Sequence, residues 1–222
     1  MLPKVLPLLL VAALALPAVA QPAARDILAS VRMQQAQQEV ELQGQLREGG
    51  KVVPFSLTQT GPVIRYSFTN PDESLQLRLG AKDSQLEEIT HTGAAKVAGK
   101  EWEQKVRGTA VTYEDLALKF LYWPDGKVLG EDYIHTRRVW KLELTAPSRQ
   151  SSYSKVFVWV EQQSGALLRL EGFDWSGRTT KRFEVVSVQK IEGRFFLKQM
   201  RIEELNPGTG KVQTRTYLEI KK

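Results

Sequence analysis

Lys155-Val156-Phe157-Val158-Trp159-Val160 is apolar at every position after its lysine, so neither face of this segment suits water. A β-strand sends successive side chains to opposite faces, and a strand with one wet face is apolar only at every second position. Phe183, Val185, Val186 and Val188 repeat the doubly apolar pattern. Both faces of this part of a sheet must therefore be covered, by other parts of the chain or by apolar material bound to it. The large aromatics Trp140, Tyr153, Phe157, Trp159, Phe173, Trp175, Phe183, Phe195 and Phe196 gather in the same half. They either fill a core or line a ligand cavity.

Working outward, period-two alternation runs through most of the chain. Val40, Leu42 and Leu46 alternate with polar residues up to Gly49-Gly50, and Val53, Phe55 and Leu57 resume the pattern. Ile64, Tyr66 and Phe68 follow, then an Asn70-Pro71-Asp72 turn, then Leu75, Leu77 and Leu79. Further strands are expected at about 127–134, 137–144, 153–161, 166–173, 179–188, 194–204 and 212–220, separated by turn residues such as Trp175-Ser176-Gly177 and Asn206-Pro207-Gly208. Gly172 lies where the apolar phase switches from Leu168 and Leu170 to Phe173 and Trp175, so a bulge is expected there. Segment 81–108 reads less clearly, with strand pieces predicted at 85–90 and 100–107 around a loop of small residues.

Two helices are predicted. Asp26 is placed as the cap of one running to about Gln38, apolar at Ile27, Leu28 and Val31. Thr112-Tyr113-Glu114-Asp115 matches a capping box and opens an interior helix through Leu121, stopped by Pro124-Asp125-Gly126. The fold class is therefore α+β, mainly β: a single curved antiparallel sheet of about a dozen strands, with an N-terminal helix and one interior helix on one side.

The composition is that of an ordinary globular chain of 222 residues, 42% hydrophobic and 25% charged. It has no cysteine and only two histidines, which excludes disulfide frameworks, thiol nucleophiles and cysteine-ligated metals. Lys4, the apolar run from Val5, and Ala18-Val19-Ala20 before Gln21 have the form of an export signal. Residues 1–20 are expected to be cleaved, leaving one domain over 21–222. An uncleaved anchor is the alternative, but Val5–Ala20 is shorter than the ~20 apolar residues a spanning helix needs. With no cysteine near the cleavage point, the product is expected to be untethered and, in a Gram-negative bacterium, periplasmic. Loss of Lys4 takes the net charge from +6 to +5. That balance suits acidic partners or anionic lipid, and export argues against nucleic acid.

Catalytic patterns are missing. His135 lies near Glu131 and Asp132, but there is no G-x-S-x-G elbow, and Ser151-Ser152 falls in a polar loop. His91 follows Glu87 and Glu88, a combination common on solvated surfaces. Glu203 and Glu204 are strand neighbours and point to opposite faces, so they cannot share a glycosidic site. No glycine loop precedes a helix in the way phosphate binding requires. Arg137-Arg138, Arg178 with Lys181 and Arg182, and Lys221-Lys222 read as solvated strand ends, or as points of contact with acidic lipid.

Thr112-Tyr113-Glu114-Asp115-Leu116, Tyr133, the stretch VWKLELTAP at 139–147, Val158-Trp159-Val160, Phe173-Asp174 with Gly177, Ile191-Glu192-Gly193-Arg194 and Met200-Arg201 together resemble bacterial outer-membrane lipoprotein-sorting proteins, the LolA/LolB-like periplasmic carriers. The resemblance covers nearly all of 21–222. It implies an antiparallel half-barrel whose concave apolar face is lidded by helices and receives acyl chains, with Phe55, Tyr66, Phe68, Trp140, Phe157, Trp159 and Phe183 as candidates for the lining. It further implies a non-enzymatic monomer without cofactor or metal, binding an acyl lipid or lipoprotein and meeting inner- and outer-membrane partner proteins. Two other readings stay open: an interaction or sensing module on the same fold, and a lipid or glycan hydrolase.

Overall fold

The computed structural model describes residues 21–191 and 193–221; the expected export signal, residues 1–20, lies outside them. Helix α1, Ala24–Gln35, comes first. Thirteen strands follow: β1 Glu39–Glu48, β2 Lys51–Thr60, β3 Val63–Phe68, β4 Glu73–Leu79, β5 Ser84–Thr90, β6 Gly93–Lys96, β7 Asp125–Ile134, β8 Arg137–Thr145, β9 Lys155–Glu161, β10 Leu167–Phe173, β11 Thr179–Ile191, β12 Arg194–Leu205 and β13 Val212–Lys221. All pair antiparallel in one open sheet, a half-barrel of order β6-β5-β4-β3-β2-β1-β13-β12-β11-β10-β9-β8-β7. No helix among the described residues is long and apolar enough to cross a membrane.

This order explains the rest of the architecture. β6 and β7 are consecutive in the chain yet form the two opposite edges of the sheet. The connection between them, residues 97–124, must therefore cross the whole concave face. It does so with two single 3₁₀ turns, Gly99–Glu103 and Val106–Gly108, then the short helix α2, Tyr113–Ala117, and a third turn, Lys119–Tyr122. Here the structure corrects three expectations. Residues 100–107 are not a strand, because Gly99, Arg107 and Gly108 take positive φ angles of 54°, 53° and 71° that no strand admits. The interior helix stops at Ala117, because Leu118 is left-handed with φ 50°. And Asp26 sits inside the first turn of α1, with Ala23 as the extended residue before it; there its charge favours the helix dipole, as does Arg32 in the last turn.

The inner, concave face holds two buried clusters. One joins Phe55, Phe68, Leu75, Leu77 and Leu86 to Trp102, Val106, Val111 and Tyr113 of the crossing segment. The other joins Ile27, Leu28 and Val31 of α1 to Leu142, Leu144, Val156, Val158, Val160 and Leu170, with Phe120 and Leu121. Phe183 packs against both. A third, smaller cluster of Ile134, Val139 and Trp159 lies on the outer face.

The doubly apolar strand β9 thus has two different covers. Val156, Val158 and Val160 point inward, under α1. Phe157 and Trp159 point outward, where the sheet's own cations lie on them: Lys141 Nζ is 5.0 and 4.9 Å from the two ring centroids, and Arg169 is 5.7 Å from Trp159. Phe173 packs against Phe157 at 4.9 Å. The register between β10 and β11 shifts at Gly172, where the bulge is expected. A side chain is excluded at Gly172 because a Cβ would lie 2.4 Å from the Tyr153 ring.

Candidate functional site

The two covers of the inner face are held by different chemistry. The crossing segment is bolted down by polar contacts. Lys181 Nζ, buried on β11, donates to Asp115 Oδ2 and to the Ala110 carbonyl, both at 2.7 Å, and the Tyr153 hydroxyl donates to Asp115 Oδ1 at 2.6 Å. Asp115 also closes the capping box with Thr112, accepting its backbone N–H at 2.8 Å. Glu114, buried beside it, accepts from Ser151 and Ser152. Burial raises the Glu114 carboxyl above its ordinary range, partly opposed by those two donors. The Tyr113 hydroxyl donates to Glu88 at 2.9 Å, and Arg107 pairs with Glu73 at 3.0 Å. Burial is also the first cause of the raised pKa values of Tyr113 and Tyr153.

Helix α1 is held mainly by apolar contact. Its polar ties are few: Arg32 donates to the Leu121 carbonyl, Gln59 to the Gln35 carbonyl, and the Gly61 N–H to the Gln38 carbonyl at 3.0 Å. The last two anchor its C-terminal end, which runs directly into β1. Its N-terminal end rests on β7 through Ala24. Fully burying Ile27, Leu28 and Val31 is worth about 5–9 kcal/mol together. An acyl chain gains ~0.8 kcal/mol per buried methylene, so about ten methylenes match what the helix gains by lying on the sheet.

A cavity of about 490 Å³ runs beside α1, from Ala23 at its N-terminal end to Arg32 in its last turn. Leu28, Tyr122, Trp123 and Pro124 give it apolar walls, Gly126 of β7 its floor, and Arg25, Arg32 and Lys82 a cationic rim. Arg32 lies 5.2 Å from the Tyr122 ring. The Tyr122 hydroxyl oxygen is sealed from water and has no hydrogen-bond partner among the described residues. Burial raises its pKa, with Arg32 opposing. The volume falls within the range of small-ligand sites, ~300–1,000 Å³. A second cavity of about 540 Å³, lined by Asp72, Glu73, Glu88 and His91 among others, lies on β4 and β5. Among the described residues no group of three or more acidic or histidine side chains is placed to hold a metal.

The sequence candidates divide between the faces. Phe55, Tyr66 and Phe68 form one inner-face group, with Phe55 centred 6.0 Å from Tyr66 and 5.9 Å from Phe68. Burial pushes the Tyr66 hydroxyl up to about 12. Trp140 and Phe183 pack against the cluster under α1. Phe157 and Trp159 lie on the opposite, outer face and share no surface with the other five. Tyr122, Trp123 and Lys82 were not singled out by sequence reasoning, because they converge only when the segment crosses the sheet. Arg32, in the last turn of an amphipathic helix, carried a usable signal. The Glu131-Asp132-His135 group is split: Glu131 pairs with Arg138 at 2.7 Å, Asp132 accepts from the Trp159 indole at 2.9 Å, and His135 is exposed in the β7–β8 turn.

A family model described as "Uncharacterized protein" matches residues 93–222. The chain belongs to that family. The family's matched region runs from β6 through the crossing segment to the end of β13; it includes Trp140 and Phe183 but not α1, Phe55, Tyr66 or Phe68. Among curated proteins none matches the sequence. Solved structures share the fold. A DUF1329 family protein from Desulfovibrio piger is 20% identical, with 90% of each chain covered and a TM-score of 0.65. A protein named as an outer membrane lipoprotein-sorting domain, from Vibrio parahaemolyticus, is 15% identical, covering 90% of this chain and 92% of its own, also at 0.65. A LolA superfamily protein from Nitrosomonas europaea is 17% identical, covering 91% and 93%, at 0.62. The resemblance to the LolA-like group therefore holds at the level of the fold.

Proposed function

We propose that this protein is an exported periplasmic carrier that shelters an acyl lipid, or the acyl anchor of a lipoprotein, between α1 and the inner face of the half-barrel. The observation that carries the reading is the cavity beside α1, which has apolar walls reaching buried Leu28 and a cationic rim suited to an anionic headgroup. Trp140 and Phe183 line the space that α1 vacates when it lifts. Phe55, Tyr66 and Phe68 continue the same face beneath the bolted segment. Phe157 and Trp159 stiffen β9 from outside. Apolar burial alone supplies the affinity, so no catalytic group is needed. The shared fold with proteins named for lipoprotein sorting supports a role in that process, with handover between inner- and outer-membrane partner proteins and a monomeric carrier in transit.

The test is mass spectrometry of an organic extract from residues 21–222, purified without detergent from a bacterial periplasm. A stoichiometric acyl lipid or lipoprotein is the expected result. A folded, empty protein that also refuses added lipid would favour an interaction module.

A further inference from the structure

The hairpin of β11 and β12 projects beyond its neighbours. The last residue of β11 paired with β10 is Glu184, opposite Arg169, so residues 185–191 have no partner on that side. On the other side Gln199 pairs with Glu219 and β13 runs two residues further, so among the described residues only the turn end of β12, about Phe195 and Phe196, reaches past it. A projecting, solvated hairpin is expected to be polar. Instead Phe195 is 71% exposed, Val186 46% and Val188 44%. Val188 and Lys190 lie opposite Leu197 and Phe195, placing all four on one face. Lys190 Nζ is 5.9 Å from the Phe195 ring centroid, and Lys198 and Lys221 are exposed nearby in the sheet.

An apolar tip with Lys190 on its own face and Lys198 exposed on the strand behind it fits the boundary between lipid headgroups and acyl chains, where the ring is buried and long cationic side chains reach the phosphates. Strand addition fits less well, because the register breaks between Val185 and Val188 interrupt the free edge of β11. We propose that the β11–β12 tip docks this protein on an anionic bilayer, with Phe195 as its principal apolar contact. This surface is separate from the cavity beneath α1, so the proposal stands or falls independently of the carrier reading.

The test uses residues 21–222 in co-sedimentation with vesicles of phosphatidylcholine alone and of phosphatidylcholine with 30% phosphatidylglycerol. Binding is expected only to the anionic vesicles, to fall in high salt, and to weaken about tenfold or more in Phe195→Ser. At 71% exposure that substitution spares the fold. Because the chain has no cysteine, Val188→Cys and Ser176→Cys can each carry one polarity-sensitive dye. The dye at 188 should shift to the blue on anionic vesicles, and the dye at 176, at the other end of β11, should not. Absence of binding, binding indifferent to Phe195→Ser, or equal dye responses would overturn the proposal. So would concentration-dependent dimerisation lost in Phe195→Ser, which would assign the tip to a second copy.

Discussion

Locking α1 to the sheet should close the protein to the acyl ligand proposed for it. A Cβ built at Gly126 lies 3.4 Å from the Ala24 Cβ, just short of the ~3.5–4.5 Å that disulfides span, so a small outward shift of α1 accommodates the bridge. The Leu144 methyl group, 3.1 Å from that Cβ, has to give by a few tenths of an ångström. In a chain without cysteine, Ala24→Cys with Gly126→Cys can form only the intended bridge. Because the C-terminal end of α1 is already tied into β1, the bridge fixes the one end that can lift. It closes a loop of about 100 residues, for which chain-entropy reasoning gives ~4.7 kcal/mol of stabilisation. In a domain of this size that corresponds to a rise in Tm of roughly 10–20 °C. Uptake of a fluorescent polyene fatty acid is the assay. The oxidised variant should take up the probe at least tenfold more slowly than its reduced form, and reductant should restore the rate. An oxidised protein that is stabilised yet loads at the reduced rate would refute the reasoning, because the ligand would not be passing beneath α1.

Three further outcomes follow from the same geometry. Asp115→Ala removes the close carboxylate from the buried Lys181 ammonium, leaving only Glu204 at 3.9 Å, and should cost about 3–5 kcal/mol, read as a fall in the urea midpoint. Glu114 has a folded-state pKa raised above its unfolded value, so its contribution is fully present below about 4.5 and is lost as pH rises toward the folded value. Glu114→Gln, which can still accept from Ser152, should flatten the difference in stability between pH 4.5 and 7; a variant that tracks the parent across that window would contradict the burial argument. Trp159→Ala should destabilise by about 3–5 kcal/mol while leaving probe uptake per folded molecule unchanged, since the ring lies on the outer face.

The strand rhythm, the turns and the capping box were legible because each rests on local rules: period two, Gly and Asn turns, and a side chain reaching three residues along. So was the bulge at Gly172. What the sequence could not yield was the destination of residues 97–124. That path follows from β6 and β7 being opposite edges of the sheet, a non-local fact with no local signature, and the left-handed Leu118 and Arg107 belong to it. The same limit governs the site. Alternation shows that Trp159 and Val160 oppose each other, but not which of them faces inward, and an aromatic covered by Lys141 and Arg169 reads in sequence just like one that lines a cavity.

The most direct test of the carrier account is photo-crosslinking of a diazirine-bearing fatty acid to residues 21–222, with the labelled positions mapped by mass spectrometry. Adducts are expected on the inner face and its lid, at Leu28, Trp140 and Phe183, and at Tyr122 on the cavity wall. Adducts confined to the outer-face residues Phe157, Trp159 and Phe173, or to the β11–β12 tip, would contradict it.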